Sequence, residues 1–167
     1  PKIKKLILDR KNQAIKAGKI IGIKKITFGN FPDNSMDSVP ILKIIQFIEK
    51  QIKIIKPDVI FTHFESDLNV DHQITSKAVI TACRPTKDQT VKSILFFEVL
   101  SSSEWNISIK NKSFKPNYFV DITKSIKFKL KALRHYKREM RKWPHPRSLE
   151  GVKLLSKTRG STVGLSN

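Results

Sequence analysis

Two histidines and three carboxylates stand within ten consecutive residues, from His63 to His72. Zinc accepts imidazole nitrogen and carboxylate oxygen, and a catalytic zinc keeps three protein ligands and one open position for water. Two residues of this segment could therefore ligate a metal, with a third ligand supplied from elsewhere. The segment is a candidate metal site.

Several residues of this segment also have an ordinary structural explanation. Asp71 could stabilise the start of the following helix through capping and the helix dipole. Asp67 and Asn69 are common turn formers, and His63 could be a structural histidine at the end of a strand. Residue types alone leave metal binding and local structure both open.

The candidate segment follows residues 59–62, a short apolar run typical of a buried strand. Helical periodicity appears on both sides of this run, at residues 41–55 and 71–83. Further helices are predicted at residues 6–21, 124–141 and 148–158, and further strands at residues 24–28, 93–100 and 118–121.

Alternating helices and apolar strands predict an α/β fold, with a mostly parallel sheet and helices on both faces. The strand at residues 59–62 is expected in the interior of the sheet, between strands near Ile26 and Leu95. Ligands of such sheets bind beyond the carboxyl ends of the strands, where the segment from His63 to His72 begins.

The length of 167 residues predicts one domain, residues 1–167. No apolar run approaches the roughly 18 residues that a transmembrane helix needs. The single cysteine, Cys83, allows no internal disulfide and no thiolate zinc cluster. It is expected to be buried, and it favours a reducing compartment such as the cytoplasm.

A net charge of +19 could attract polyanions. The lysines are spread over the whole length, however, and no RRM, KH, zinc-finger or basic-zipper pattern is present. A basic nucleic-acid-binding domain is therefore an alternative function. Any DNA binding is expected to be non-specific and to weaken with salt.

Residues 57–63 read Pro-Asp-Val-Ile-Phe-Thr-His, and residues 67–72 read Asp-Leu-Asn-Val-Asp-His. Together they resemble the second metal motif of the LmbE/PIG-L-type sugar N-deacetylases. Further similarities to this family follow in order along the chain, at residues 10–22, 31–34, 97–105, 116–122, 146–150 and 159–165.

The resemblance implies a Rossmann-like sheet and a zinc-dependent hydrolase that removes an N-acetyl group from a small amino sugar or glycan precursor. Other divalent transition metals suit the same ligand types. Asp71 is implied to orient a histidine, and Asn69 stands where some members carry a catalytic histidine. The candidate site residues are the metal ligand His72, the catalytic residues Asp71 and Asn69, and the substrate-binding residues Arg10, Asp33, His63 and Asp67.

One family motif has no match in residues 1–167. The His-Pro-Asp-Asp loop, which supplies two more zinc ligands and the general base, is absent, since the sole His-Pro pair is His145-Pro146. We therefore expect a partial domain without its N-terminal strands, inactive alone, from a parent protein that is the enzyme. The alternative is an inactive sugar-binding or interaction relative. Asn69 can donate a hydrogen bond but cannot serve as a general acid.

Overall fold

The structure, a computed structural model, describes residues 2–107 and 113–167. These residues contain five α-helices and two strands. Their order is α1 (Lys2–Ile21), α2 (Ile41–Ile55), β1 (Val59–His63), α3 (Val70–Ala82), β2 (Ser93–Phe97), α4 (Ile126–Leu133) and α5 (Leu149–Ser161), with a short 3-10 helix (Met36–Ser38) before α2. The α/β class predicted from the sequence is confirmed.

The chain divides into two compact units. The first unit combines Pro1–Phe28 with Pro116–Asn167, and the second unit is the continuous segment Gly29–Lys115. The prediction of one domain over residues 1–167 stays a prediction. Within the described residues, no helix is both long enough and apolar enough to cross a lipid bilayer.

The second unit is built on a parallel pair of strands. β1 pairs with β2 so that Phe61 lies opposite Leu95 and Ile60 lies opposite Ile94. The two isoleucines pack against a core contributed by α2 and α3. Its buried members are Ile44, Ile45, Ile52, Ala78, Val79, Ala82 and Cys83.

The helices of this core follow from their sequence pattern. Apolar residues recur in α2 at the helical period, which places Ile44, Ile45 and Ile52 on one buried face. α2 ends where Lys56, just before Pro57, adopts a left-handed conformation with φ 51°. Both core helices were predicted from the periodicity, and Cys83 is buried as expected.

In the first unit, α1 ends at Gly22 as predicted. Gly22 has φ 78°, and the amide of Ile23 donates to the carbonyl of Gly18 at 2.9 Å. This is a common way to end a helix on a left-handed residue. α4 packs against α1 and α5, and the Ser148 hydroxyl caps α5 by accepting from the Gly151 amide at 2.8 Å.

The left-handed backbone at Gly22 gives a direct stability prediction. Gly22→Ala should lower the free energy of unfolding by about 1 kcal/mol, because a Cβ disfavours positive φ. Apart from the two chain neighbours of Gly22, no atom of the described residues lies within 4 Å of the added Cβ, so the loss would come from the backbone alone. Gly22→Asn should cost less, because asparagine tolerates this conformation. Urea unfolding of the unchanged chain and the two variants measures the difference. An unchanged midpoint in Gly22→Ala would contradict a left-handed conformation at Gly22.

Two predicted strands are not formed in the described residues. Residues 24–28 and 118–121 favour extended backbone by composition, but a strand also needs a hydrogen-bonded neighbour. Neither β1 nor β2 pairs with these runs. β1 therefore has β2 as its sole partner among the described strands, and Phe61 is 65% exposed. The predicted interior position between strands near Ile26 and Leu95 is wrong on the Ile26 side.

The helix predicted over residues 124–141 is shorter than its pattern suggests. α4 ends at Leu133, and the chain continues in tight turns. Glu139, in this turn region, forms ion pairs with Arg10 at 2.9 Å and with Arg147 at 3.0 Å. These partners are distant in sequence from Glu139 or lie in the next loop, so helical periodicity could not reveal them.

Candidate metal centre

The loop after β1 is anchored by the start of α3. The Asn69 side-chain oxygen accepts from the amides of Asp71 at 2.8 Å and His72 at 3.4 Å. Asn69 is thus the N-cap of α3, a role for which asparagine is well suited. The cap fixes the first helical turn, and with it the positions of Asp71 and His72 beside the carboxyl end of β1.

Asp67 is the buried centre of this loop, with no exposed surface. Its carboxylate accepts from the Ser102 hydroxyl, from the Ser103 hydroxyl at 2.6 Å and from the Asn69 amide at 2.9 Å. Burial by itself would raise the pKa of Asp67, but the hydrogen bonds outweigh burial and hold the pKa below its ordinary value. Asp67 is therefore a buried carboxylate anion.

The fourth contact of Asp67 is with His72. Its Oδ1 lies 3.0 Å from His72 Nδ1. An ionised carboxylate can only accept hydrogen bonds, so Nδ1 must carry the proton. A neutral His72 then has its lone pair on Nε2, the arrangement in which a carboxylate commonly holds a metal-binding histidine.

His63 packs directly on His72. Their rings stack with centroids 4.0 Å apart, and the His63 ring lies 4.9 Å from that of Phe97. Burial, and then the nearby His72, lower the pKa of His63 to about 4. His63 is thus neutral at neutral pH, which argues against a role as proton donor.

Asp71 ties a second loop to the site. Its two carboxylate oxygens accept from the backbone amides of Asn34 at 2.6 Å and Met36 at 3.0 Å. The role of orienting a histidine, expected for Asp71, therefore falls to Asp67. Asp33 precedes Asn34 in this loop and is exposed. Because the Asn34 amide is bound to Asp71, Asp33 lies at the same end of the second unit as His72.

Two of the predicted substrate-binding residues, Asp67 and Arg10, have partners within the protein. Asp67 is fully buried and saturated with hydrogen bonds, so in this structure it cannot contact a substrate directly. Arg10 lies on α1 in the first unit, where its guanidinium pairs with Glu139. Its predicted contact with substrate stays a prediction.

The serines at positions 102 and 103, which hold Asp67, are functional candidates that were not predicted from the sequence. They lie in the turn after β2, and the carbonyl of Ser102 accepts from the Leu68 amide at 3.4 Å. Because parallel strands end at the same edge of a sheet, hydroxyl groups in the turn that follows β2 can reach the loop after β1. A run of three serines after an apolar strand was the signal that could have found them.

The donor set fits one metal ligand and not a complete metal site. His72 has the tautomer that a ligand needs, with its Nε2 lone pair available. No group of three His, Cys, Asp or Glu side chains suited to a metal is present among residues 2–107 and 113–167. A catalytic zinc usually has three protein ligands.

The family model described as GlcNAc-PI de-N-acetylase, PIG-L, matches residues 2–83. The crystal structure of the conserved protein TT1542 from Thermus thermophilus aligns with a TM-score of 0.74 and 20% identity, covering 95% of this chain and 69% of that one. No curated protein matches the sequence.

The likeness to TT1542 shows a shared fold. The family match covers α1, α2, β1 and α3, and it includes every residue singled out as a candidate in the sequence. The resemblance recognised from the sequence motifs is confirmed by this family match over residues 2–83.

Proposed function

We propose that this chain is part of a metal-dependent hydrolase that removes an N-acetyl group from an amino sugar or glycan precursor. The PIG-L match supports a deacetylase-type hydrolase for substrates like N-acetylglucosamine. The observation that carries the proposal is the pairing of Asp67 with His72 Nδ1, which leaves Nε2 for a metal. The buried cysteine suits a cytoplasmic location.

His72 would hold the metal, which is zinc by resemblance, although other divalent transition metals suit the same donors. When bound, the metal supplies an activated water and a positive charge for the carbonyl oxygen. Two further protein ligands are needed. The resemblance assigns them to a His-Pro-Asp-Asp loop, a motif that residues 1–167 do not contain.

The chain's other residues would prepare this ligand and the space around it. Asp67 fixes the tautomer and ring orientation of His72, and the neutral ring of His63 restricts its rotation by stacking. Asp71 holds the loop in which Asp33 is exposed. We propose that Asp33 accepts hydrogen bonds from sugar hydroxyl groups, for which an exposed carboxylate is suited.

The test compares two proteins. One is the 167-residue chain, and the other, the extended protein, carries a segment with a His-Pro-Asp-Asp loop before residue 1. The extended protein should retain zinc and release acetate from an N-acetylglucosamine conjugate, whereas the 167-residue chain should bind zinc weakly and release none. Full activity in the 167-residue chain would show that the metal ligands are not the ones proposed. Sugar binding without acetate release in the extended protein would favour the inactive relative.

Substitution of Asn69 is expected to have a smaller effect on activity than loss of the metal ligand. Asn69→Ala should lower the free energy of unfolding by about 1 kcal/mol, because the cap of α3 is lost. Acetate release by the extended protein should fall less than about tenfold, because the Asn69 amide can offer the reacting groups hydrogen bonds but no proton. Asn69→Asp keeps a capping oxygen and is the matched control. If Asn69→Ala lost as much activity as a variant that lacks the metal ligand His72, Asn69 would contribute more to catalysis than we propose.

A further inference from the structure

The positive charge of the protein is concentrated in one of its two units. The first unit has 22 lysines and arginines against four aspartates and glutamates, a net charge of +18. The second unit has 11 against ten, a net charge of +1. Lysines occur along the whole sequence, but the carboxylates that neutralise them belong mainly to the second unit. The first unit therefore carries nearly all of the net positive charge that would attract a polyanion.

A groove at the start of α5 lies within this basic unit and has a volume of about 580 Å³. Three cationic side chains and one carboxylate, that of Glu150, line the groove. Exposed apolar side chains contribute to the rest of its lining. Trp143 is 54% exposed and Leu154 is 45% exposed. The residues that give the groove its mixed character are Arg141, Lys153, Lys157, Trp143 and Leu154.

The same mixture of cations and exposed apolar side chains recurs elsewhere in the first unit. In α1, Ile3, Ile7 and Leu8 are at least half exposed beside Lys4 and Lys5. A nucleic acid offers phosphates to the lysines but little to aliphatic side chains. The interface of an anionic bilayer accommodates both, since phosphates meet the cations and the glycerol and acyl region takes up apolar groups.

We propose that the first unit docks on the surface of an anionic phospholipid bilayer, with the groove at the start of α5 receiving a lipid headgroup. Lys153 and Lys157 would face the phosphate, while Trp143 and Leu154 would enter the interfacial layer. This proposal rests on charge and exposure in the first unit, and it is independent of the proposed hydrolase activity.

Co-sedimentation of the 167-residue chain with vesicles tests the proposal. Vesicles with about a quarter phosphatidylserine should bind the chain at least about tenfold better than pure phosphatidylcholine, and salt should weaken the binding. The emission of Trp143, read in a Trp105→Phe background, should shift to shorter wavelength on the anionic vesicles alone. Equal binding to both kinds of vesicle would overturn the proposal.

A pair of double variants locates the docking surface. Lys153→Gln with Lys157→Gln should reduce binding to anionic vesicles by about tenfold or more, since each cation at the surface contributes to attraction. Lys50→Gln with Lys53→Gln removes the same charge from an exposed helix face of the second unit and should change binding less than about twofold. Equal losses in the two pairs would contradict docking through the groove. Binding to double-stranded DNA without binding to anionic vesicles would assign the charge to nucleic acid and also overturn the proposal.

Discussion

His72→Ala should abolish metal retention and acetate release by the extended protein. Removal of a ligand should lower metal affinity by more than the roughly 10- to 100-fold that is typical of removing a residue behind a ligand. Metal analysis after dialysis and an acetate assay on the same sample measure the two effects together. The matched control is His135→Ala, a histidine of the first unit, which should leave both properties unchanged.

Circular dichroism should show that His72→Ala retains its helices, because His72 is partly exposed and caps no helix. A folded variant with unchanged metal content would remove His72 from the proposed centre. A folded variant that keeps its metal but loses activity would give the residue a different role from the one proposed.

Asp67→Ala should cause the largest loss of stability, about 3–5 kcal/mol, because it removes a buried acceptor and leaves its donors unpaired. The donors that lose their partner are the Ser102 and Ser103 hydroxyls, the Asn69 amide and His72 Nδ1. Chemical unfolding in urea measures the change. Asp88→Ala is the matched control, since Asp88 is exposed in the same unit and should change stability by less than about 0.5 kcal/mol.

A loss below about 1 kcal/mol in Asp67→Ala would show that the four contacts do not hold the loop. Ser102→Ala and Ser103→Ala separate the contributions, because each removes one donor and leaves the carboxylate in place. Each should be milder than Asp67→Ala, with a loss of about 1–2 kcal/mol.

Local patterns predicted much of the second unit. The periodicity of α2 and the apolar run of β1 were sufficient, because each element buries the face that its own sequence marks as apolar. The position of the site was also predictable, since ligands of α/β sheets lie beyond the carboxyl ends of strands. His63, Asp67 and His72 do lie together there.

The division of roles among these residues could not be predicted in the same way. Asp67 and Asp71 are both acidic and both close to His72 in sequence, and only their three-dimensional partners distinguish them. Asp71 is occupied by backbone amides 35 and 37 residues away, whereas Asp67 is held by serines 35 and 36 residues away. The predicted strand at residues 24–28 failed for a related reason, because pairing depends on a neighbour that composition does not reveal.

The proposed metal centre depends on the tautomer of His72. Long-range proton–nitrogen correlation spectra of the isotope-labelled chain, recorded at neutral pH, distinguish protonated from unprotonated ring nitrogens. The His72→Ala spectrum assigns the signals. We expect neutral His72 to carry its proton on Nδ1, facing Asp67, with Nε2 unprotonated. A neutral His72 with its proton on Nε2 would contradict the proposed role as metal ligand, because Nε2 would then have no free lone pair.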